Sequence, residues 1–251
     1  MRIIPVIDLL HGQVVRGIGG RRNEYRPIHS QLVLDARPES VAAAFVKQFS
    51  FHTAYVADLD AIIDGRCSTT EWKQIAAAGL KLWLDAGINN SLAARKIVAS
   101  GKELNIDFEL VIGLESLESP EELTAIQQLC DRRAIFSLDI RAGQPLTQIE
   151  KWKSLTPLEI AAQAISRGTN RLIILDLADV GESRGTRTLQ LCRDLRNDHS
   201  HLELIAGGGV RNLDDLKALA NAGASAALVA SALHDGRLAP KDIQTISAPP
   251  P

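Results

Sequence analysis

The chain has 251 residues, of which 45% are hydrophobic and 23% charged, and its formal net charge is -2. This charge balance, with an aromatic content of only 4%, excludes the positive field and the stacking surfaces on which nucleic-acid-binding proteins depend. No apolar run approaches the roughly 20 residues needed to span a bilayer, so we expect no membrane segment. The length could hold two small domains, but it is also the usual length of one (β/α)8 barrel.

The first residues and the cysteines indicate the cellular compartment. The start, MRIIPVIDLL, contains one basic residue and lacks the small-residue cleavage site of a signal peptide, so it predicts a strand. Cys67, Cys130 and Cys192 are scattered and have no CxxC spacing, which favours free thiols over a disulfide or a metal site. We therefore predict a cytoplasmic protein.

Apolar runs with the length of strands alternate with amphipathic segments along the chain. The predicted strands are residues 3–8, 54–58, 81–85, 109–112, 134–139, 171–176, 202–206 and 226–229, and helices include 38–49, 91–100, 120–129, 157–166 and 213–220. The strands are apolar at nearly every position, which is typical of parallel strands covered on both faces. Eight alternating units in about 250 residues favour a closed (β/α)8 TIM barrel over an open sheet. We predict one domain over residues 1–247 and a disordered tail at 248–251.

The chain also repeats itself. VIDLLHGQVV at the first strand resembles SLDIRAGQPL at the fifth, YVADLDAIIDG at the second resembles IILDLADVGES at the sixth, and LDAGINN at the third resembles GGGVRN at the seventh. The second half is therefore interpreted as a diverged copy of the first. Two duplicated half-barrels would place equivalent residues opposite each other across the barrel mouth.

The first repeat pairs two aspartates that could perform acid–base chemistry. Asp8 and Asp139 each end an apolar strand, and the carboxyl ends of barrel strands carry the reacting groups. Partial burial raises the pKa of a carboxyl group, so two such groups in different surroundings can act as acid and base. The alternative is that each carboxylate only caps its own loop.

Glycine-rich turns provide candidate phosphate sites. Gly207, Gly208 and Gly209 follow the seventh strand and precede a helix, while Ala230 and Ser231 follow the eighth. Free N–H groups at such a turn bind anions, although tight turns also use glycine. The symmetric counterparts are Gly87 after the third strand and Gly113 after the fourth. Two such sites flanking two carboxylates would suit a bisphosphorylated substrate.

Two loops could cover the mouth. The connection from about residue 9 to 37 has no obvious structure of its own and contains Arg16, Arg21, Arg22, Tyr25 and Arg26. Its length and glycines favour a lid that binds substrate, with a solvated basic loop as the alternative. In the loop after the fifth strand, Trp152 either stacks on a planar ligand or anchors the loop to the rim.

Other polar residues are weaker candidates. His199 and His201 precede the seventh strand, away from the mouth, so we predict no metal site. Asp58, Asp60 and Asp176 end strands near the mouth, where they could bind ligand hydroxyls or tie loops together. No Walker A or dinucleotide-binding pattern is present in the sequence.

The motifs IIPVIDLLHGQVVRG, SLDIRAGQ, AGGGVRNLDDL and VASAL resemble those of the histidine-biosynthesis isomerase family (HisA) and its sister cyclase (HisF). This resemblance covers nearly the whole chain and implies a half-barrel-duplicated (β/α)8 protein. The isomerase converts an aminoaldose with two phosphoribosyl groups into an aminoketose by an Amadori rearrangement. Asp8 would be the base that removes the proton from ribose carbon 2, and Asp139 the acid that opens the ring. Trp152 corresponds to the tryptophan of the family's fifth loop.

The resemblance also implies which cofactors and partners to expect. Neither a metal nor an organic cofactor is implied, and we expect a monomer that binds a phosphorylated small molecule, without nucleic acid or membrane. A glutaminase partner is expected only if the chain is a cyclase. That activity calls for a charged gate at the barrel base, of which the sequence identifies only Arg2.

Several positions depart from the family pattern. The usual Thr-Asp pair after the sixth strand is Leu175-Asp176, the glycine-rich turn after the third is Asp85-Ala86-Gly87, and the usual Val-Gly of the eighth is Val229-Ala230. The RRNEYRPI segment of the first loop also differs from the family's loop. These departures indicate a divergent member, for which a different phosphorylated ligand, for example in pterin-linked one-carbon metabolism, or binding without catalysis are the alternatives.

The changes predict unequal phosphate sites. A carboxylate such as Asp85 at ~4 Å from a phosphate charge would cost about 4 kcal/mol at an effective dielectric constant of roughly 20, unless it points away. We therefore expect an anion to bind first beside Gly208, Gly209 and Ser231.

Overall fold

The computed structural model describes residues 1–181 and 188–247, so the predicted tail at 248–251 lies outside the described residues. Within them, eight parallel strands close into a barrel, in which each strand pairs with the next and the last pairs with the first. The strands are β1 (Arg2–Leu10), β2 (Thr53–Asp58), β3 (Lys81–Asp85), β4 (Phe108–Gly113), β5 (Ile135–Arg141), β6 (Arg171–Asp176), β7 (Glu203–Gly207) and β8 (Ala226–Val229). The predicted (β/α)8 barrel is confirmed.

Helices surround this barrel. They are α1 (Pro38–Phe49), α2 (Leu59–Asp64), α3 (Thr69–Ala77), α4 (Ser91–Leu104), α5 (Pro120–Leu129), α6 (Pro157–Ser166), α7 (Leu189–Asp198), α8 (Leu213–Asn221), α9 (Ser231–His234) and α10 (Pro240–Ser247). In the described ranges, none of them is long and apolar enough to cross a membrane.

Local sequence explains several helix starts. Thr156 and Glu159 form a capping box before α6, in which the Thr156 hydroxyl accepts from the Glu159 N–H and the Glu159 carboxylate accepts from the Thr156 N–H. Asn90 and Asn212 cap α4 and α8, since each side chain accepts from the N–H three residues later. These two caps occupy equivalent places in the two half-barrels.

Alternation along each strand divides the core into two parts. In β3, Leu82 and Leu84 point outward into the cluster between barrel and helices, whereas Trp83 points into the barrel interior. Residues two apart share a face of a strand, so the side chain of Asp85 also points inward, at the mouth end.

A charged network closes the base of the barrel. Its members are Arg2, Lys81, Glu109, Arg171 and Glu203. Arg171 contacts both glutamates, with its Nε 3.1 Å from Glu203 Oε2, and its Cζ lies 4.8 Å from the centre of the Trp83 ring. The guanidinium group of Arg171 therefore stacks on Trp83, whose side chain lies inside the barrel.

The loops after β1 and β5 differ from the sequence prediction. Both strands continue past Asp8 and Asp139 and turn back as short hairpins through Gln13–Arg16 and Gln144–Pro145. The turns at His11 and Ala142 are alike, because each residue has a φ of 51° and precedes a glycine that also has positive φ. The first connection is thus not a structureless loop, and its matching turn reflects the duplication.

Candidate active site

A cavity of about 110 Å³ opens at the mouth of the barrel, where the strands end at their carboxyl side. Its polar and charged lining consists of Asp8, Arg22, Tyr25, Tyr55, Asp85, Glu115, Asp139, Ser231 and Arg237, and the turns at Gly208, Gly209 and Ala230 complete one wall. Barrel enzymes carry their active sites at this end.

Asp8 and Asp139 both face this cavity from opposite half-barrels. Asp139 is buried and accepts a hydrogen bond from the Ser137 hydroxyl at 2.6 Å. Burial raises the pKa of Asp8 to about 7, although the Arg22 guanidinium lowers it. Burial also raises the pKa of Asp139 to about 8, and the Glu115 carboxylate adds to this rise. Near neutral pH one carboxyl group can therefore be ionised while the other holds its proton.

Asp85 is a third carboxylate in the same cavity. It is only 8% exposed, and it accepts hydrogen bonds from the Tyr55 hydroxyl at 3.0 Å and from the Gly87 N–H at 3.1 Å. Burial raises the pKa of Asp85 to about 6, while these two donors lower it. The same surroundings raise the pKa of Tyr55 well above its usual value. At neutral pH Asp85 is a largely ionised group that points into the site.

The loop after β1 closes over the cavity. Arg22 forms an ion pair with Glu115, which follows β4 on the far side of the mouth. The Gly19 N–H donates to the Val180 carbonyl at 2.8 Å, which joins the loop to the one after β6. A Cβ on Gly17 would lie 2.9 Å from Val180 Cγ1 and 3.1 Å from Asp8 Oδ2, so the lid approaches both residues too closely for a side chain there. The lid is therefore shaped by contacts with the candidate catalytic groups.

The turns after β7 and β8 offer hydrogen-bond donors. Gly208 and Gly209 both line the cavity and have φ values of 92° and 74°, a backbone conformation that favours glycine. Among the described residues, the N–H groups of Gly209, Ser231 and Ala232 donate no hydrogen bond. Arg237 lines the cavity beside them and is held by Asp235 at 2.9 Å.

The turns after β3 and β4 differ from those after β7 and β8, because carboxylates surround their glycines. The Gly87 N–H is used by Asp85, and a Cβ on Gly87 would lie 2.7 Å from the backbone of Ile62 in α2. Gly113 ends β4 between two carboxylates, since a Cβ there would lie 3.2 Å from Asp139 Oδ2 and 3.7 Å from Asp85 Oδ2.

Six predicted site residues do not line the cavity: Gly87 and Gly113, in the turns just described, and Trp152, Arg21, Asp176 and Gly207. Trp152 is fully buried against Phe136 and donates to Gln163 at 2.8 Å, so it anchors its loop and has no open face on which a ligand could stack. Arg21 pairs with Glu24 at the exposed side of the lid, and its neighbour Arg22 lines the cavity instead.

Asp176 and Gly207 are the last of the predicted residues outside the cavity. The carboxylate of Asp176 accepts from the N–H groups of Ala142, Gly143 and Ala178, so it ties the turn after β5 to the loop after β6. Asp58 and Asp60 likewise bind loop groups. Gly207 lies within β7, covered by the side chain of Leu175 at 3.0 Å from its Cβ position.

Sequence reasoning missed several lining residues. Tyr55, Glu115 and Arg237 carried no motif, and the inward side of Asp85 was left open. Tyr55 and Asp85 lie on the inward-facing register of a strand and Glu115 comes two residues after β4, whereas Arg237 follows α9 and had no such positional signal. In the described part of the chain, no group of three or more metal-ligating side chains is found.

The sequence was then compared with known proteins. A family model described as histidine biosynthesis protein matches residues 2–239. The chain is 31% identical over 238 residues to an uncharacterized protein of Methanocaldococcus jannaschii, with 95% of both chains covered. It is 28% identical over 247 residues to a protein of Halobacterium salinarum, covering 96% of this chain and 95% of the relative. A protein of Moorella thermoacetica is 27% identical over 256 residues, with 99% of both covered.

The last two relatives are named as isomerases of an imidazole-4-carboxamide that carries two phosphoribosyl groups. The match of the family model spans nearly all of the barrel. The resemblance stated from the motifs is confirmed, and the chain belongs to the histidine biosynthesis protein family.

Proposed function

We propose that the protein is an aldose–ketose isomerase of the Amadori type that acts on a phosphoribosyl substrate, in histidine biosynthesis or a related pathway. The observation that carries this proposal is the pair Asp8 and Asp139, which face one cavity with pKa values of about 7 and about 8. A base and an acid that coexist near neutral pH are what the rearrangement requires. Relatives named as phosphoribosyl isomerases support the same reaction class.

The proposed mechanism assigns one proton transfer to each carboxyl group. Asp139, whose pKa is the higher of the two, gives its proton to the ring oxygen of the sugar, so the bond between carbon 1 and that oxygen breaks. The nitrogen on carbon 1 supplies an electron pair and forms an imine. Asp8 removes the proton from carbon 2, and the enolamine that forms tautomerises to the aminoketose. The reaction is redox-neutral because carbon 1 gains the electrons that carbon 2 loses.

The phosphate would bind at the turns after β7 and β8. Gly209, Ser231 and Ala232 provide N–H groups without protein partners among the described residues, and Arg237 adds a positive charge beside them. A group held there would place the sugar over the centre of the mouth, between the two aspartates.

A cyclase activity is less consistent with the base of the barrel. The base carries a charged network, which a cyclase would need as a gate and of which the sequence identified only Arg2. However, Trp83 lies directly above this network and is only 2% exposed. A passage for ammonia along the axis would have to displace this ring.

The test is turnover by the pure protein, followed by loss of the carbon 2 proton signal in deuterated water. The substrates are the aminoaldose with two phosphoribosyl groups and the glycosylamine of ribose 5-phosphate and aniline. We expect turnover of at least one of them, and a loss of about 100-fold or more in Asp8→Asn and in Asp139→Asn. Asp107→Asn removes an exposed carboxylate at the base and is expected to retain activity.

Complementation of a histidine auxotroph that lacks the isomerase tests the pathway. Growth would support a place in histidine biosynthesis. No growth, together with turnover of the ribose 5-phosphate glycosylamine only, would indicate a related pathway. Tight binding of phosphorylated sugars without any turnover would overturn the isomerase proposal in favour of a binding protein.

A further inference from the structure

The two half-barrels present different backbone groups at equivalent turns. Gly87 and Gly209 are equivalent, yet the Gly87 N–H donates to the Asp85 carboxylate at 3.1 Å, whereas the Gly209 N–H has no partner among the described residues. Gly87 is also covered by α2, whose Ile62 backbone would lie 2.7 Å from a Cβ at this position. The turn after β3 therefore has no open donor at the place where its counterpart has one.

The same contrast holds after β4 and β8. The Leu114 N–H donates to the Ser137 carbonyl at 2.9 Å, and the Glu115 N–H points to Asp139 Oδ2 at 3.4 Å. The equivalent N–H groups of Ser231 and Ala232 donate to no described residue. At both turns, the donors of the first half-barrel are satisfied within the protein.

Charge divides the cavity in the same way. Asp85 and Asp139 flank Gly113, and Glu115 follows in the same turn, where it forms an ion pair with Arg22. A phosphate dianion there would meet the carboxylates of Asp85 and Glu115 beside the protonated carboxyl group of Asp139. The β7–β8 side carries Arg237 instead. A carboxylate accepts hydrogen bonds from hydroxyl and ammonium groups, and it repels phosphate.

From these contrasts we infer that the substrate carries a single phosphate, bound at the turns after β7 and β8. Its opposite end is a hydroxyl- or amine-bearing group without negative charge, held by Asp85 and Asp139. This inference rests on the proposed function and narrows its substrate class. It separates this chain from the relatives whose names specify two phosphoribosyl groups. Asp85 is the specificity-determining residue, because it is the carboxylate that stands in the turn where the equivalent residue is Gly207.

Calorimetry with two matched sugars tests the inference. The probes are ribulose 5-phosphate and ribulose 1,5-bisphosphate, titrated at about pH 7.5 into the wild-type protein, into Asp85→Asn and into Asp107→Asn. We expect the wild type to bind the monophosphate at least as tightly as the bisphosphate. Asp85→Asn should shift the ratio of the two dissociation constants toward the bisphosphate by on the order of tenfold or more, because one repulsive charge is gone. Asp107→Asn removes the same charge at the base and should leave the ratio unchanged.

Two results would overturn the inference while leaving the proposed function intact. One is wild-type protein that binds the bisphosphate more than tenfold more tightly than the monophosphate. The other is a ratio that Asp85→Asn does not move. The wild-type ratio decides the matter even if the variant fails to fold. Absence of binding for both sugars would instead remove the proposed phosphate-dependent function, and this inference with it.

Discussion

Replacing Asp139 by asparagine should stabilise the protein, and the gain in the free energy of unfolding should grow as the pH rises from about 4 to about 8. The folded state holds the Asp139 proton more tightly than the unfolded chain, since its pKa rises from 3.8 to about 8. This contribution to stability is fully present below about pH 4 and is lost as the pH rises to about 8. The shift corresponds to roughly 6 kcal/mol at the upper limit. Proton sharing with neighbouring carboxyl groups and relaxation of the site reduce the expected gain to about 2–4 kcal/mol at pH 8.

Urea denaturation of wild type and Asp139→Asn at pH 5 and at pH 8 measures this gain. We expect the difference in the free energy of unfolding to grow between the two pH values, with a rise in Tm of roughly 5–10 °C at pH 8. Asp107→Asn, at an exposed carboxylate 3.7 Å from Lys81, should change stability by less than about 0.5 kcal/mol. An Asp139→Asn protein that is less stable than wild type at pH 8, or a gain that does not depend on pH, would refute the reasoning.

Three further outcomes follow from the site. The pH profile of kcat/KM should be a narrow bell with limbs near pH 7 and pH 8, set by the proposed acid–base pair, and a flat profile over that range would contradict it. Gly208→Val should weaken calorimetric binding of ribulose 5-phosphate more than Ala86→Val, because Gly208 has a φ of 92° and lines the cavity; equal losses would count against the phosphate site. Arg237→Met should raise the dissociation constant of the same sugar about tenfold, while Arg16→Met, which also removes a partner of Asp235, should not.

The barrel was predictable because its signals are local and repeated. Apolar runs of strand length recur between amphipathic segments, and the predicted helices at 120–129 and 157–166 coincide with α5 and α6. The hairpin after β1 was not predicted, because its pairing of Leu9 with Val14 adds two residues beyond Asp8 to the strand. Such an extension depends on pairing with a neighbouring strand, which periodicity within one strand does not reveal.

The site was predictable at its two aspartates and less so around them. Asp8 and Asp139 were found through the internal repeat, which needs no knowledge of side-chain direction. The direction of Asp85 was open because parallel strands are apolar on both faces, so Leu82, Trp83 and Leu84 look equivalent in the sequence. Only the burial of Trp83 inside the barrel establishes which face Asp85 shares.

The sequence also did not reveal how deeply a side chain in a rim loop is buried. An aromatic residue in a rim loop is compatible with ligand stacking and with anchoring, and the two differ by a few ångströms of burial. Trp152 is anchored because Gln163 of α6 accepts its indole N–H and Phe136 packs against its ring. No sequence motif links either partner to Trp152. The three-dimensional structure was therefore needed to decide between ligand stacking and anchoring.

The duplication explains why the two sides of the mouth can differ without disturbing the barrel. Each half carries its own strand-end aspartate, hairpin turn and asparagine helix cap, and these features are shared because they shape the frame. At the positions that differ, Asp85 and Ser231 line the cavity, whereas their counterparts do not: Gly207 is covered by Leu175, and Leu114 is buried in the core between barrel and helices. Charge could therefore change at one turn while Asp8 and Asp139 stayed in register. A substrate held by its phosphate on one side and by hydrogen bonds to carboxylates on the other would fit a mouth that diverged in this way.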